Sequence, residues 1–248
     1  MIRLAALGVL ATLAPQAAQA ACNAVTFDGA RFTICEMSTV DDDIRLFLRD
    51  EAGQVFGSFT RLNQSLPEGQ RLGMAMNAGM FHDNRAPVGL YIEDGVEEMR
   101  VITSDGPGNF GLLPNGVFCL NGDRAQVIES RAYAADPPAC QYATQSGPML
   151  VIDGELHPRF LEHSDSLNIR NGVGVDETGT RVVMAISDQQ VNFHHFARLF
   201  RDGLDLPNAL FLDGSVSRLY APDLGRSDLG FPIGPILGTV VDETVAGG

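Results

Sequence analysis

The chain has 248 residues, and 31 acidic residues against 17 basic ones give it a formal net charge of −14 at neutral pH. This acidic balance argues against a nucleic-acid or anionic-membrane partner, because either would need a basic face. Every basic residue is arginine, and the absence of lysine from the sequence excludes a lysine Schiff base and a P-loop lysine.

The first twenty residues have the features of a secretory signal peptide. Arg3 precedes an apolar stretch, Leu4–Leu13, that is too short to span a bilayer, and Ala18-Gln19-Ala20 provides small residues for cleavage after position 20. A lipoprotein acylated on Cys22 is the alternative, but the residue three positions before it is polar rather than apolar. We therefore predict an exported protein, periplasmic or secreted, with a signal peptide at 1–20, one domain at 21–248 and no membrane span.

The four cysteines fit an oxidising compartment. They are even in number and contain no C-x-x-C spacing, so structural disulfides are favoured over zinc binding or thioredoxin-type chemistry. Four cysteines allow three pairings, and the pairing local in sequence is preferred: Cys22 with Cys35 and Cys119 with Cys140.

Short apolar segments bounded by turn residues predict most of the chain to be strands. No linker or internal repeat divides them, so a run of strands with few helices predicts a single α+β domain with a mixed or antiparallel sheet core and a few packed helices. The predicted strands are Arg45–Leu48, Leu72–Met76, Val88–Glu93, Gly116–Leu120, Met149–Ile152, Arg181–Ser187 and Ala209–Leu212.

One helix is predicted from about Asn192 to Gly203. Its apolar residues recur at helical spacing, with Asn192 as a plausible N-cap and Gly203 as a stop. His194 and His195 are adjacent, so their rings would point about 100° apart and chelate a metal poorly. His195 falls opposite the apolar stripe and is expected to face solvent. We predict no metal site and no cofactor.

Polar residues cluster with glycines at four strand ends. Each cluster alone is typical of a turn, but glycine also lets a ligand approach the backbone closely, so four such clusters together indicate a site. The clusters are Asn77-Ala78-Gly79-Met80-Phe81-His82-Asp83, Gln145-Ser146-Gly147-Pro148, Arg170-Asn171-Gly172-Val173-Gly174 and Asp213-Gly214-Ser215-Val216-Ser217.

In this order, together with Pro87-Val88-Gly89-Leu90 and Asn208–Leu212, these motifs resemble the phosphodiester glycosidase family. The resemblance extends from about Asp42 to Val240. It implies hydrolysis of a sugar 1-phosphodiester between the sugar carbon and the phosphate oxygen, with a carbohydrate or sugar phosphate as partner. One departure is that Ser215 and Val216 follow Asp213-Gly214 where family members often carry further glycines.

The resemblance implies roles for the clustered residues. Asp213 is the candidate catalytic carboxylate, activating water or stabilising an oxocarbenium-like sugar, and Arg170 is the candidate charge stabiliser for a leaving phosphate. Asn77 and Ser217 would orient sugar hydroxyls or phosphate oxygens. The remaining predicted substrate-binding residues, which shape the walls of the site, are Gly79, Phe81, Ser146, Gly147, Asn171 and Gly214.

Several alternatives stay open at this point. A second carboxylate could be Asp83, Glu93 or Asp188, and His82 could assist proton transfer. A serine hydrolase using Ser146 or Ser217 lacks the G-x-S-x-G motif. A non-catalytic glycan-binding protein of the same fold is the other hypothesis. The sequence specifies neither the sugar nor the oligomeric state.

Overall fold

The computed structural model describes residues 20–214 and 216–243. The predicted signal peptide, apart from Ala20, and the departure at Ser215 therefore lie outside the described residues. In chain order the strands are β1 Ala21–Phe27, β2 Ala30–Ser38, β3 Asp43–Phe47, β4 Gln70–Asn77, β5 Tyr91–Glu93, β6 Val96–Met99, β7 Gly116–Asn121, β8 Arg124–Glu129, β9 Tyr142–Ser146, β10 Met149–Ile152, β11 Glu155–Leu156, β12 Asn171–Val175, β13 Arg181–Ser187, β14 Asn208–Phe211, β15 Leu219–Ala221, β16 Arg226–Ser227 and β17 Ile236–Asp242.

Three short helices lie between the strands, each capped by the residue before it. α1 spans Phe59–Ser65, α2 spans Ser130–Ala135 and α3 spans Phe193–Arg198. The N-cap side chains are those of Ser58, Glu129 and Asn192, whose oxygens accept backbone N–H groups of the first turn. None of the described helices is long and apolar enough to cross a membrane.

The described strands form three sheets with antiparallel pairing throughout. The first sheet has the order β1-β2-β13-β12-β14-β10-β11, the second β16-β15-β4-β17-β3, and the third β6-β5-β9-β7-β8. Consecutive pairs such as β1–β2, β7–β8 and β12–β13 are hairpins, as antiparallel pairing allows. The second sheet instead joins distant segments, since β4 lies between β15 and β17.

Most of the hydrophobic core lies where the three sheets face one another, and a helix covers the outer face of each sheet. The sequence of β13 is apolar at nearly every position because both faces of this strand are covered. Val182, Met184 and Ile186 point into the shared core, whereas Val183 and Ala185 point towards α3. Because successive side chains point to opposite faces of a strand, a strand covered on both faces needs apolar residues at consecutive positions.

The predicted α+β fold with an antiparallel core is confirmed, and so is the local disulfide pairing of Cys22 with Cys35 and Cys119 with Cys140. The predicted strands occur with small shifts of their ends, except that the segment predicted from Val88 is a strand only over Tyr91–Glu93. The predicted helix is α-helical only to Arg198. It continues as a π-helical turn over Leu199–Gly203.

The prediction for His195 is wrong. Its ring is half-buried and lies 5.8 Å from the ring centroid of Phe32 and 6.0 Å from that of Phe27. The first hairpin, β1–β2, packs against the side of α3 that helical periodicity alone leaves to solvent. Asn192 does cap α3, because its Oδ1 accepts the backbone N–H of His195 at 2.8 Å.

Candidate active site

The first and second sheets meet at a junction of two buried asparagines. Asn77 ends β4 and Asn171 begins β12, and both are fully buried. The Asn171 side-chain amide donates to the backbone oxygen and to Oδ1 of Asn77, both at 3.1 Å. The Asn77 amide in turn donates to the backbone oxygen of Asp213 at 2.8 Å. This interlocking places the end of β4 beside the residues that follow β14.

The segment from Asp213 to Arg218 is held at both ends by this junction. Its first backbone N–H, that of Asp213, donates to the Ala78 oxygen at 3.1 Å, and the backbone N–H of Arg218 donates to Asn77 Oδ1 at 2.9 Å. The Ser217 hydroxyl has acceptors in Asn171 Oδ1 at 3.1 Å and the Ile169 oxygen at 3.2 Å. We call residues 213–218 the site loop, although Ser215 is not described.

Gly214 is required in the site loop by close packing. A Cβ built on it would lie 2.3 Å from Cζ of Phe211, whose ring is beneath the loop. Any larger residue would therefore have to displace the loop or the ring. Asp213 is 6% exposed, and it is the neighbouring Gly214, not Asp213 itself, that is among the lining residues of the cavity beside the loop.

A cavity of about 610 Å³ opens beside the site loop. Its mouth carries Leu229 and Phe231, which are 87% and 81% exposed. Residues of the site loop and of the segment after β16 form most of its walls. The cavity is lined by Asn168, Ile169, Ile186, Ser187, Asp188, Gly214, Val216, Ser217, Arg218, Arg226, Asp228, Leu229, Gly230 and Phe231.

Two guanidinium groups line this cavity in different electrostatic settings. Arg226 forms ion pairs with Asp188 at 2.6 Å and with Asp228 at 3.0 Å. Arg218, which is 8% exposed, forms no ion pair with any described residue, and burial lowers its pKa. Sequence reasoning omitted both arginines and Asp228. The available indication was the position of Arg218 directly after the Asp213–Ser217 motif.

Arg170 is not among the residues that line the cavity, although Ile169 directly before it is. Its guanidinium stacks 3.6 Å from the ring centroid of Phe193, while Nε donates to the Val191 oxygen at 2.9 Å and Nη2 to the Ser166 oxygen at 2.8 Å. It is 1% exposed, and burial lowers its pKa to about 10, so it stays charged at neutral pH. It forms no ion pair with a described carboxylate.

The other predicted wall residues, Gly79, Phe81, Ser146 and Gly147, do not line the cavity. Gly79 and Gly147 are sites of close packing: a Cβ would lie 2.3 Å from Thr144 Oγ1 at the first and 2.6 Å from the Asn115 Cβ at the second. Phe81 packs in the same way over Gly234. Ser146 is buried, and its hydroxyl makes no hydrogen bond to any residue that the structure describes.

Of the three alternatives for a second carboxylate, only Asp188 lines the cavity. Glu93 lies in β5, where its Oε2 accepts the Tyr91 hydroxyl at 2.5 Å, and Asp83 is exposed in the loop after β4. His82 is exposed in that loop too. Across residues 20–214 and 216–243, no group of three or more His, Cys, Asp or Glu side chains could hold a metal ion.

Two sequence comparisons bear on the family. A family model described as phosphodiester glycosidase matches residues 70–229. The uncharacterized protein YigE of Escherichia coli (strain K12) is 34% identical over 177 residues, covering 71% of this chain and 69% of that protein.

Two solved structures share the fold at low sequence identity. The catalytic domain of zebrafish N-acetylglucosamine-1-phosphodiester alpha-N-acetylglucosaminidase, auto-inhibited by its pro-peptide, matches with a TM-score of 0.59 and 14% identity, over 89% of this chain and 82% of that one. A protein assigned as exported in Burkholderia pseudomallei K96243 matches with a TM-score of 0.55 and 11% identity, over 85% and 74%. Since the family model covers more than half of the sequence, this chain belongs to the phosphodiester glycosidase family.

Proposed function

We propose that this protein hydrolyses a sugar 1-phosphodiester at the cavity beside the site loop. Water attacks the anomeric carbon, and the bond between that carbon and the phosphate oxygen breaks. The sugar gains the hydroxyl group, and the electron pair of the broken bond leaves with the phosphomonoester. The remaining proton of the water passes to a base.

The observation that carries this proposal is the anchoring of the site loop. Asn77 and Asn171 fix it from two different sheets, so that Gly214 lines a cavity, with Asp213 directly before it, in a chain of this family. Preorganised groups stabilise a transition state without reorganising during the reaction. Asn77 and Asn171 are buried and bonded to protein groups, so their role is to position the loop.

The leaving group explains why one carboxylate and an arginine suffice for the chemistry. An ordinary glycosidase protonates a poor leaving group with a carboxylic acid. A phosphate monoester leaves as a stable anion and mainly needs its charge stabilised. In this proposal Asp213 activates the water or stabilises the sugar cation. Arg170 contributes positive charge from the low-dielectric interior behind the loop, where charge interactions are less screened than in water.

The other predicted residues contribute shape and orientation. Ser217 lines the cavity and offers a hydroxyl to the substrate, while Gly214 keeps the loop close to the Phe211 ring. Gly79, Phe81, Ser146 and Gly147 have a packing role in this proposal, since none of them lines the cavity. The two disulfides fit a protein that acts after export, in the periplasm or outside the cell.

The serine hydrolase alternative finds no support in the geometry. Ser217 is bonded to an asparagine and a backbone carbonyl, and Ser146 is buried. In the described part of the chain, neither hydroxyl has a histidine partner that could act as its base. A glycan-binding protein without turnover is the outcome that would replace the present proposal.

The test is turnover of a panel of sugar 1-phosphodiesters by the chain without residues 1–20. Wild-type protein should release free sugar and a phosphomonoester, whereas Asp213→Asn should lower kcat by at least about a hundredfold with little change in KM. Arg170→Met should also lower kcat. The matched control is Asp123→Asn, which neutralises an exposed carboxylate in the turn after β7 and should leave the rate unchanged.

Binding without turnover would overturn the proposal. If the folded wild-type chain releases no sugar but binds the panel members, and Asp213→Asn keeps that affinity, the protein is a binding module. If turnover persists in Asp213→Asn, the cavity is retained as the site but its carboxylate is a different one.

A further inference from the structure

We propose that Arg218 forms an anion-binding subsite in the wall of the cavity, and that it receives the phosphate group of the substrate by direct contact. The choice of phosphate among anions rests on the proposed function. The existence of an anion site follows from the arrangement of Arg218 itself.

The backbone around Arg218 is fixed on both sides by side chains. Its own N–H donates to Asn77 Oδ1 at 2.9 Å, and the N–H of Leu219 donates to Asp228 Oδ2 at 2.9 Å. Asp228 also accepts from Arg226, which holds that carboxylate in place. The arginine side chain therefore starts from a rigid base, so ligand binding need not order the backbone.

The guanidinium group lies against the backbone of Gly230. A Cβ at that position would lie 2.4 Å from Nη2 and 2.9 Å from Cζ of Arg218. Gly230 also has a φ of +147°, which L side chains rarely adopt. A glycine at this point leaves space for the guanidinium group in the cavity wall.

The charge of this group is left uncompensated. Arg218 is 8% exposed, and its guanidinium makes no ion pair and no side-chain hydrogen bond with any residue in the described ranges. Burial lowers its pKa, and the field of Asp228 only partly opposes that shift. A buried cation normally has an anionic or hydrogen-bonding partner. An oxyanion entering the cavity would supply one.

Arg226 shows the contrast within the same cavity. It binds two carboxylates, those of Asp188 and Asp228, as well as the Thr33 hydroxyl. Its donors are engaged and its charge is balanced by protein groups. Arg218 lines the same cavity, and among the described residues its guanidinium has no acceptor. A guanidinium fork suits the oxygens of a phosphate group.

Inorganic phosphate is the probe, titrated into the chain without residues 1–20 and followed by backbone NMR shifts and by thermal unfolding. Wild-type protein should show saturable shifts at Ser217, Arg218 and Gly230, with an affinity that falls as salt rises. Arg218→Met should weaken binding at least tenfold, because a charged hydrogen-bond donor is lost. Arg218→Lys should retain part of the affinity.

Two further variants make the test specific. Gly230→Ala keeps every charge but pushes a methyl group into the guanidinium, and it should also weaken phosphate binding severalfold. Arg100→Met removes the same charge from an exposed position outside the cavity and should bind phosphate as wild type does. Phosphate should raise the melting temperature of wild type and Arg100→Met, but not that of Arg218→Met.

The outcomes separate this proposal from the proposed function. Equal affinity in wild type and Arg218→Met, or an equal loss in Arg100→Met, would overturn the subsite even if sugar phosphodiesters are hydrolysed. Phosphate binding that depends on Arg218 and Gly230 would establish the subsite even if no member of the substrate panel turns over.

Discussion

At the scale of single residues, two arginines are buried near the site, and their guanidinium groups differ in their surroundings. Arg170 stacks on Phe193 and donates hydrogen bonds to two backbone carbonyls, so groups of the protein itself stabilise its charge. Arg218 lies against a glycine and faces the cavity. Both are desolvated, but only the second presents its donors to a ligand. The difference separates a cation that would act on the substrate at a distance from one that would contact it.

A buried carboxyl group away from the cavity gives a pH-dependent prediction. Burial raises the pKa of Glu93 from 4.5 to about 7, against the hydrogen bond from Tyr91, which favours the ionised form. A raised pKa in the folded state means that the stabilising contribution is complete below pH 4.5. It is lost as pH rises through about 7. The free energy of unfolding should therefore fall by on the order of 2 kcal/mol across that interval.

Urea unfolding at a series of pH values measures this effect. Glu93→Gln keeps the shape and removes the titration, so its stability should be flat between pH 4.5 and 7, apart from a background shared with wild type. Glu51→Gln, which changes an exposed carboxylate in the turn after β3, should retain the wild-type slope. A wild-type slope in Glu93→Gln would assign the pH dependence to other groups.

Much of the candidate site is predictable from sequence because its members are contiguous. Asp213, Gly214 and Ser217 belong to one motif, and the structure brings Asn77 and Asn171 to it. Arg218 follows the motif directly in sequence. Its proposed role in anion binding depends on Gly230, which is distant in sequence but close to the guanidinium group in space. Local sequence carries no information on such a contact, and this is why sequence reasoning favoured Arg170 alone.

At the scale of elements, β12 shows two functions of one glycine-rich segment. Asn171 at its start belongs to the site junction, whereas Gly172 and Gly174 face α3 and the π-helical turn after it. Phe196 approaches Gly172, and Phe200 approaches Gly174, so the helix packs directly on the strand backbone. A pattern of polar residues and glycines that predicted a site is therefore partly a packing pattern.

This packing makes Gly174→Ala a specific prediction at the level of an element. The added methyl group would lie 2.8 Å from atoms of Phe200 and Leu206, and we expect a loss of about 1–3 kcal/mol in the free energy of unfolding. Denaturant unfolding measures it. The matched control, Gly106→Ala, places a methyl group where no atom lies within 4 Å, and it should be neutral or stabilising by up to about 1 kcal/mol. Equal effects in the two variants would mean that backbone freedom, rather than crowding, sets the loss.

The helix itself illustrates where periodicity fails. The apolar spacing locates the helix and its cap at Asn192, but a 3.6-residue period does not distinguish an α-helical turn from the π-helical turn at Leu199–Gly203. It also gave no indication that the β1–β2 hairpin covers the His195 side. Both features depend on distant segments, and propensity along the chain contains neither.

At the scale of the whole molecule, three antiparallel sheets share one core, and the site loop lies where two of them meet. The two disulfides are placed away from this junction. Cys22–Cys35 joins β1 to β2 at the edge of the first sheet, and Cys119–Cys140 joins β7 of the third sheet to the segment after α2. None of the four cysteines lines the cavity beside the site loop.

This placement predicts that the disulfides support stability rather than chemistry. The linked cysteines are 13 and 21 residues apart, and loops of this length correspond to about 3 kcal/mol each from the restricted unfolded chain. Cys22→Ala with Cys35→Ala, and Cys119→Ala with Cys140→Ala, should each lower the free energy of unfolding by about that amount. In folded protein, turnover and phosphate binding should be unchanged.

Combining the two pairs of substitutions tests whether the sheets behave as one cooperative unit. The disulfides share no partner and belong to different sheets, so in a two-state protein their losses should add to within about 0.5 kcal/mol. Chemical denaturation followed by both tyrosine fluorescence and far-UV circular dichroism gives the measurement. A smaller sum, or transitions that differ between the two probes, would show that one sheet unfolds before the others. If that sheet is the first or the second, the site loop, which depends on their junction, should lose phosphate binding at the earlier transition.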